Sequence, residues 1–137
     1  MHNNKKVAVV TGSSTGIGYE TCLALAHNGY LTYATMRNIK KGKEIEKISK
    51  EKKLQIKTIE MDVDKDESVK IAIENIIDEN GQIDILVNNA GYGLFGALED
   101  ITLSEIKNQF ETNVFGVIRV TQNVLSNIEM SKKWNNS

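Results

Sequence analysis

Four short runs rich in Val, Ile and Thr alternate along the chain with longer segments of helical period, and this alternation constrains the fold most. The runs are Val7–Thr11, Leu31–Met36, Leu54–Met61 and Ile83–Asn88. Strand–helix–strand order of this kind predicts an α/β fold, with a parallel sheet covered by helices on both faces. Between the runs, Ile17, Thr21, Ala24 and Leu25 mark one helical face, and Val69, Ala72, Ile73, Ile76 and Ile77 mark another. Lys40–Lys53 is weaker, with Ile45 and Ile48 as its inward residues. Asp64 with Glu67 predicts a helix start, and Gly81 a stop. Thr102 with Glu105 predicts a capping box for a long helix. The apolar line of that helix runs through Phe110, Val114, Val117, Ile118, Thr121, Val124, Leu125 and Ile128.

At 137 residues the chain suits one domain, 1–137, able to bury roughly two thirds of its unfolded surface. Net charge is −1, so nothing directs the protein toward nucleic acid or an anionic membrane. Cys22 is the single cysteine, which excludes an internal disulfide. His2 and His27 are the only histidines and form no metal-ligand pattern. The first apolar run is too brief for a signal peptide or a membrane span. These features predict a soluble, cytoplasmic domain without a metal.

The first strand leads into Gly12, Gly16 and Gly18. In a parallel sheet, ligands settle beyond the carboxyl ends of the strands. A helix N-terminus there offers unpaired N–H groups and a positive dipole to a pyrophosphate. Gly12 allows a tight turn, Gly16 lets backbone and phosphate approach, and Gly18 lets the helix pack on the sheet.

The spacing Gly-x-x-x-Gly-x-Gly differs from the commoner Gly-x-Gly-x-x-Gly. Thr11–Gly18 resembles the opening motif of the short-chain dehydrogenase/reductase family. Three further landmarks stand in family order: Asp62-Val63, "NNAG" at 88–91, and Asn113 in "ETNVFG". The resemblance implies a Rossmann-like doubly wound parallel sheet, incomplete here at about four strands. It implies that Gly12, Ser14, Thr15, Gly16, Ile17 and Gly18 line the pyrophosphate and adenine ribose. It further implies that Asp62 and Val63 meet the adenine, and that Asn88, Ala90 and Gly91 support the ribose. Asn88 and Asn89 tying strands together is the equal alternative. NAD-dependent members carry an acid at the end of strand two, where this chain has "TYATMRN" and Arg37. A guanidinium there pairs with a 2′-phosphate, so NADP is expected over NAD; a solvated surface arginine is the alternative.

The family transfers hydride between a nicotinamide and a carbonyl or alcohol, using a Ser and a Tyr-x-x-x-Lys pair, with an Asn holding a water of the proton relay. Asn113 corresponds to that Asn. None of Tyr19, Tyr30, Tyr33 and Tyr92 has Lys four residues on, and Tyr33 with Arg37 lies in strand two and is rejected. Family members continue into strands beside strand four, so the resemblance implies a chain cut before its catalytic half. Ile83–Asn88 is then an apolar edge strand, and marginal stability or self-association follows. A homo-oligomer through that edge or the last helix is expected. Read one nucleotide out of frame with AT-rich codons, the terminal "KKWNNS" contains Gly-Ile-Ile-Val, which the family places next. Residues 134–137 are therefore expected to be out of frame. The partner is a small-molecule substrate of unread identity. Leu94, Phe95 and Leu98 in the loop Tyr92–Asp100 suggest an apolar one, or else they pack inward. The competing readings are a non-catalytic dinucleotide-binding module and an inactive gene fragment.

Overall fold

A computed structural model describes residues 5–135, with side chains through residue 128. The expected frame change at 134–137 therefore falls on side chains outside the described residues, and positions 136 and 137 lie outside them altogether. The chain forms β1 (Val7–Val10), α1 (Gly16–His27), β2 (Leu31–Met36), α2 (Lys43–Glu51), β3 (Ile56–Glu60), α3 (Asp66–Asn80), β4 (Ile85–Val87), α4 (Leu103–Phe110) and α5 (Gly116–Asn135). The four strands make one parallel sheet in the order β3-β2-β1-β4. This is the parallel α/β sheet that the alternation predicts and the doubly wound arrangement that the resemblance implies.

Strand alternation divides the core between two faces. Val7 and Val9 of β1, with Leu31 and Tyr33 of β2, face α3 and α5. Val10, Ala34 and Met36 face α1 and α2, where Cys22, Ala26 and Ile45 meet them. Both central strands are buried throughout, as a sheet covered on both sides requires. Burial pushes the Cys22 thiol up to about 11, so it is a packing residue rather than a nucleophile.

Several sequence expectations change. The inward face of α1 is Gly18, Cys22 and Ala26, while Ile17 is 78% exposed and Ala24 is exposed. Small residues let this helix lie close to the sheet; Leu25 packs half-buried at the margin of the core as expected, and the exposed Ile17 misdirects the apolar pattern. Asp64 does not cap α3: the N-cap is Lys65 without a side-chain bond, and the Asp64 carboxylate accepts the Thr112 hydroxyl at 2.7 Å. Gly81 ends α3 in the left-handed region, φ 77°. Strand β4 is shorter than Ile83–Asn88, because the Asp84 carboxylate accepts the Val7 N–H at 2.7 Å. The Thr102–Glu105 capping box is present.

The predicted long helix is interrupted by a π-turn at Glu111–Phe115. A π-turn inserts one residue, which rotates everything beyond it by about 100°. After it, Val120 and Val124 are the fully inward residues, and Val120 is absent from the predicted line. Phe110, Val114, Ile118 and Leu125 are exposed. Among the described residues, no helix is long and apolar enough to cross a membrane, and no His/Cys/Asp/Glu group is placed to hold a metal.

Candidate nucleotide site

The turn from β1 to α1 is locked to the end of β4. Asn89 N–H and Ala90 N–H both donate to the Thr11 hydroxyl at 2.9 Å. The Asn89 side-chain amide donates to the carbonyls of Thr11 and Gly12, at 3.1 and 3.0 Å. Gly12 and Gly18 are required by this lock. A Cβ on Gly12 would lie 2.9 Å from Ala90 Cα, and one on Gly18 would lie 2.3 Å from the Gly12 carbonyl oxygen and 2.5 Å from Asn89 Nδ2. The role of Gly18 is thus clearance for the turn itself, beyond helix packing. Gly16 has φ 63° and open space around its missing Cβ, so its backbone is free to meet a ligand. The N-cap residue Thr15 makes no side-chain cap bond, which leaves the first N–H groups of α1 unpaired by side chains.

Beyond the carboxyl ends of the strands lies a cavity of about 690 Å³. Of the predicted site residues, Gly12, Ser14, Thr15, Arg37, Asp62, Val63, Ala90 and Gly91 line it. Gly16, Ile17 and Gly18, which open α1, are not among the lining residues. Asn88 is exposed and donates to the Thr121 hydroxyl on α5 at 3.2 Å, while its neighbour Asn89 makes the strand tie. Asn113 stands in the π-turn, where its amide brackets one residue: Oδ1 accepts from Tyr92 N–H at 3.0 Å and Nδ2 donates to Tyr92 O at 2.6 Å. Asn113 so fixes the Gly91–Tyr92 backbone, and Tyr92 lines the cavity. Tyr33 is absent from the lining; its hydroxyl donates to Glu79 and accepts from Asn80, and burial pushes it up to about 12.

The wall after β3 is held from a distance. Asp62 accepts the Asp64 N–H at 3.0 Å and donates its own N–H to Ser68 at 2.8 Å. Arg119 of α5 donates to the Val63 carbonyl at 2.6 Å and to Glu111 at 2.5 Å, and pairs with Asp66. Burial works against its charge, but the two carboxylates outweigh that and hold its pKa above the ordinary value. Gly116 sits where a Cβ would be 2.9 Å from Val63. Arg119 and Thr112 carry no local signal in the sequence, because each acts on partners remote in the chain, whereas the strand tie expected of Asn88 and Asn89 is made by Asn89.

The cavity is basic on its β2 side. Residues 37–57 hold nine of the seventeen Lys and Arg residues and only three of the eighteen Asp and Glu residues. Arg37 and Lys41 both line the cavity, and neither side chain has an ion pair or hydrogen bond among the described residues. Lys41 also escapes the sequence reading; the Lys40-Lys41 pair after Arg37 is its only signal. Two free cations, an uncapped helix start and an open glycine fit a ligand carrying several phosphate charges. Of the three apolar loop residues, Leu94 is half-buried, while Phe95 and Leu98 are 97% and 76% exposed and do not pack inward.

The chain matches the short chain dehydrogenase family over residues 6–135. It is 36% identical to retinol dehydrogenase 8 of Bos taurus over 137 residues, covering 97% of this chain and 43% of that protein. It is also 36% identical to 3-ketodihydrosphingosine reductase of Bacteroides thetaiotaomicron, covering 93% of this chain and 44% of that protein. Among solved structures, it resembles an alcohol dehydrogenase from the archaeon Thermococcus sibiricus complexed with 5-hydroxy-NADP. The TM-score is 0.85 and the identity 32%, covering 93% of this chain and 55% of that one. The chain thus spans less than half the length of the two relatives named first.

Proposed function

This chain belongs to the short chain dehydrogenase family, and from that premise we propose that it binds NADP(H) as the cofactor-holding part of an oxidoreductase acting on a carbonyl or alcohol. One observation carries the proposal. Arg37, unpaired at the end of β2, shares a cavity with the glycine turn that begins α1. In this reading the N–H groups at Gly16–Gly18, with Ser14 and Thr15, hold the pyrophosphate. Asp62 accepts from the adenine amine, for which it keeps one carboxylate oxygen, and Val63 packs on the ring. Ala90 and Gly91 border the ribose. Arg37 takes the 2′-phosphate, a bidentate fit that favours NADP over NAD. The neighbour crystallised with 5-hydroxy-NADP supports that choice.

When bound, the nicotinamide supplies the hydride; the chain's own contribution is orientation. Asn113 holds the Gly91–Tyr92 backbone in place at the cavity wall. The exposed Phe95 and Leu98 support an apolar substrate. Titration with NADPH and NADH tests the cofactor assignment. Arg37→Asp is expected to weaken NADPH at least 10-fold, since a charge-assisted bidentate pair becomes a repulsion. Unchanged NADPH affinity would refute the assignment.

The alternative reading is a dinucleotide-binding module without chemistry of its own. NADPH oxidation by this chain with an apolar ketone would exclude that reading, and tight binding without turnover would favour it.

A further inference from the structure

Between Arg37 and α2 the backbone makes one 3-10 turn, Ile39–Gly42. Asn38 fixes both sides of it: its side chain accepts from Lys40 N–H at 3.1 Å and its carbonyl accepts from Lys41 N–H at 3.0 Å. Gly42 is buried, and a Cβ there would lie 3.0 Å from Thr58 Cγ2 and 3.1 Å from Met36 Sδ. The missing side chain lets the turn lie flat on the ends of β2 and β3. That placement puts Lys41 in the cavity wall, whereas Lys40 and Lys43 stand outside the lining.

A phosphate monoester carries close to two negative charges at neutral pH and three acceptor oxygens. One guanidinium fork serves two oxygens and one charge. A second cation within the same wall answers the remainder, and the Lys41 ammonium has no other partner among the described residues.

We propose that Lys41 is a second specificity-determining residue, whose ammonium binds the adenosine 2′-phosphate together with Arg37. The proposal rests on the NADP reading above. Its control is Lys43, an exposed lysine two residues on and outside the cavity.

The test measures dissociation constants of NADPH, NADH, 2′,5′-ADP and 5′-AMP by calorimetry for the purified protein and for Lys41→Gln, Lys41→Arg and Lys43→Gln. Lys41→Gln is expected to weaken NADPH and 2′,5′-ADP about 10-fold, the usual worth of one charge-assisted bond, and to leave NADH and 5′-AMP unchanged. Lys41→Arg should restore most of the loss, and Lys43→Gln should change little. An unchanged NADPH to NADH ratio in Lys41→Gln overturns the proposal. So does an equal loss in Lys43→Gln, which would reduce the effect to a diffuse field. If the unmodified protein bound neither dinucleotide, the NADP reading itself would fall, an outcome distinct from both.

Discussion

The turn after β1 and the stretch from Tyr92 to Phe115 border the same cavity, yet they are built on opposite terms. In the first, Thr11, Asn89, Gly12 and Gly18 interlock so closely that a single added carbon would strike backbone. In the second, large apolar residues face outward. Of the twelve exposed large hydrophobic residues among the described ones, seven fall between Tyr92 and Phe115. Among the described residues, strand β4 pairs only with β1, and it is half-buried along its length. On the proposed NADP(H) reading, the phosphate end of the ligand would meet a preformed wall, and the opposite end an apolar surface that the described residues do not cover.

The contrast predicts a graded series of substitutions. Gly18→Ala should be the most damaging, at about 3 kcal/mol, because the turn cannot yield without releasing Asn89. A denaturant midpoint close to that of the unmodified protein would mean that the lock is softer than its geometry. Next comes Tyr33→Phe, at about 1 kcal/mol for the lost hydroxyl contacts with Glu79 and Asn80. This effect depends on pH. The folded Tyr33 titrates near 12, above the ordinary value of about 10, so its contribution is complete below about pH 10 and disappears as pH rises toward 12. Urea midpoints of the two proteins should therefore converge across that alkaline range, and parallel curves would contradict the assignment. At the small end, Phe95→Ser should change stability by under about 0.5 kcal/mol. Leu125→Glu, on the outer face of α5, should be equally mild for folding while lowering self-association in sedimentation velocity. A large loss of stability from either would place those side chains in a packed interior and erase the contrast.

The legible parts of the fold are those that depend on local period and composition. Strand β2 matches its predicted limits and β1 ends one residue short, because a strand buried on both faces reads as an unbroken apolar run. Asp62, Val63 and Arg37, singled out by the family resemblance, follow the strand ends and line the cavity. What escapes is fixed by contact across the chain. Asn88 and Asn89 are identical in sequence, and only the alternation of the strand sends one to α5 and the other into the glycine turn. Arg119 joins residues 8, 53 and 56 positions away, which no local pattern encodes. Lys41 enters the site because Gly42 flattens a turn, an effect of an absent side chain on a neighbour. The inward face of α1 was hidden for a related reason: the residues that fit there are small, and apolar size is what period analysis weighs.

The π-turn at Glu111–Phe115 holds its information in residue number rather than in bond strength. A point substitution in it would weaken one contact. Removing one residue would instead allow a regular helix and swing α4 by about 100° relative to α5. Asn113 would then leave the Tyr92 backbone with every side chain chemically intact. Such a segment tolerates exchange of letters far better than a change in their count, and a one-residue deletion there would read as a mechanical fault in an otherwise sound frame.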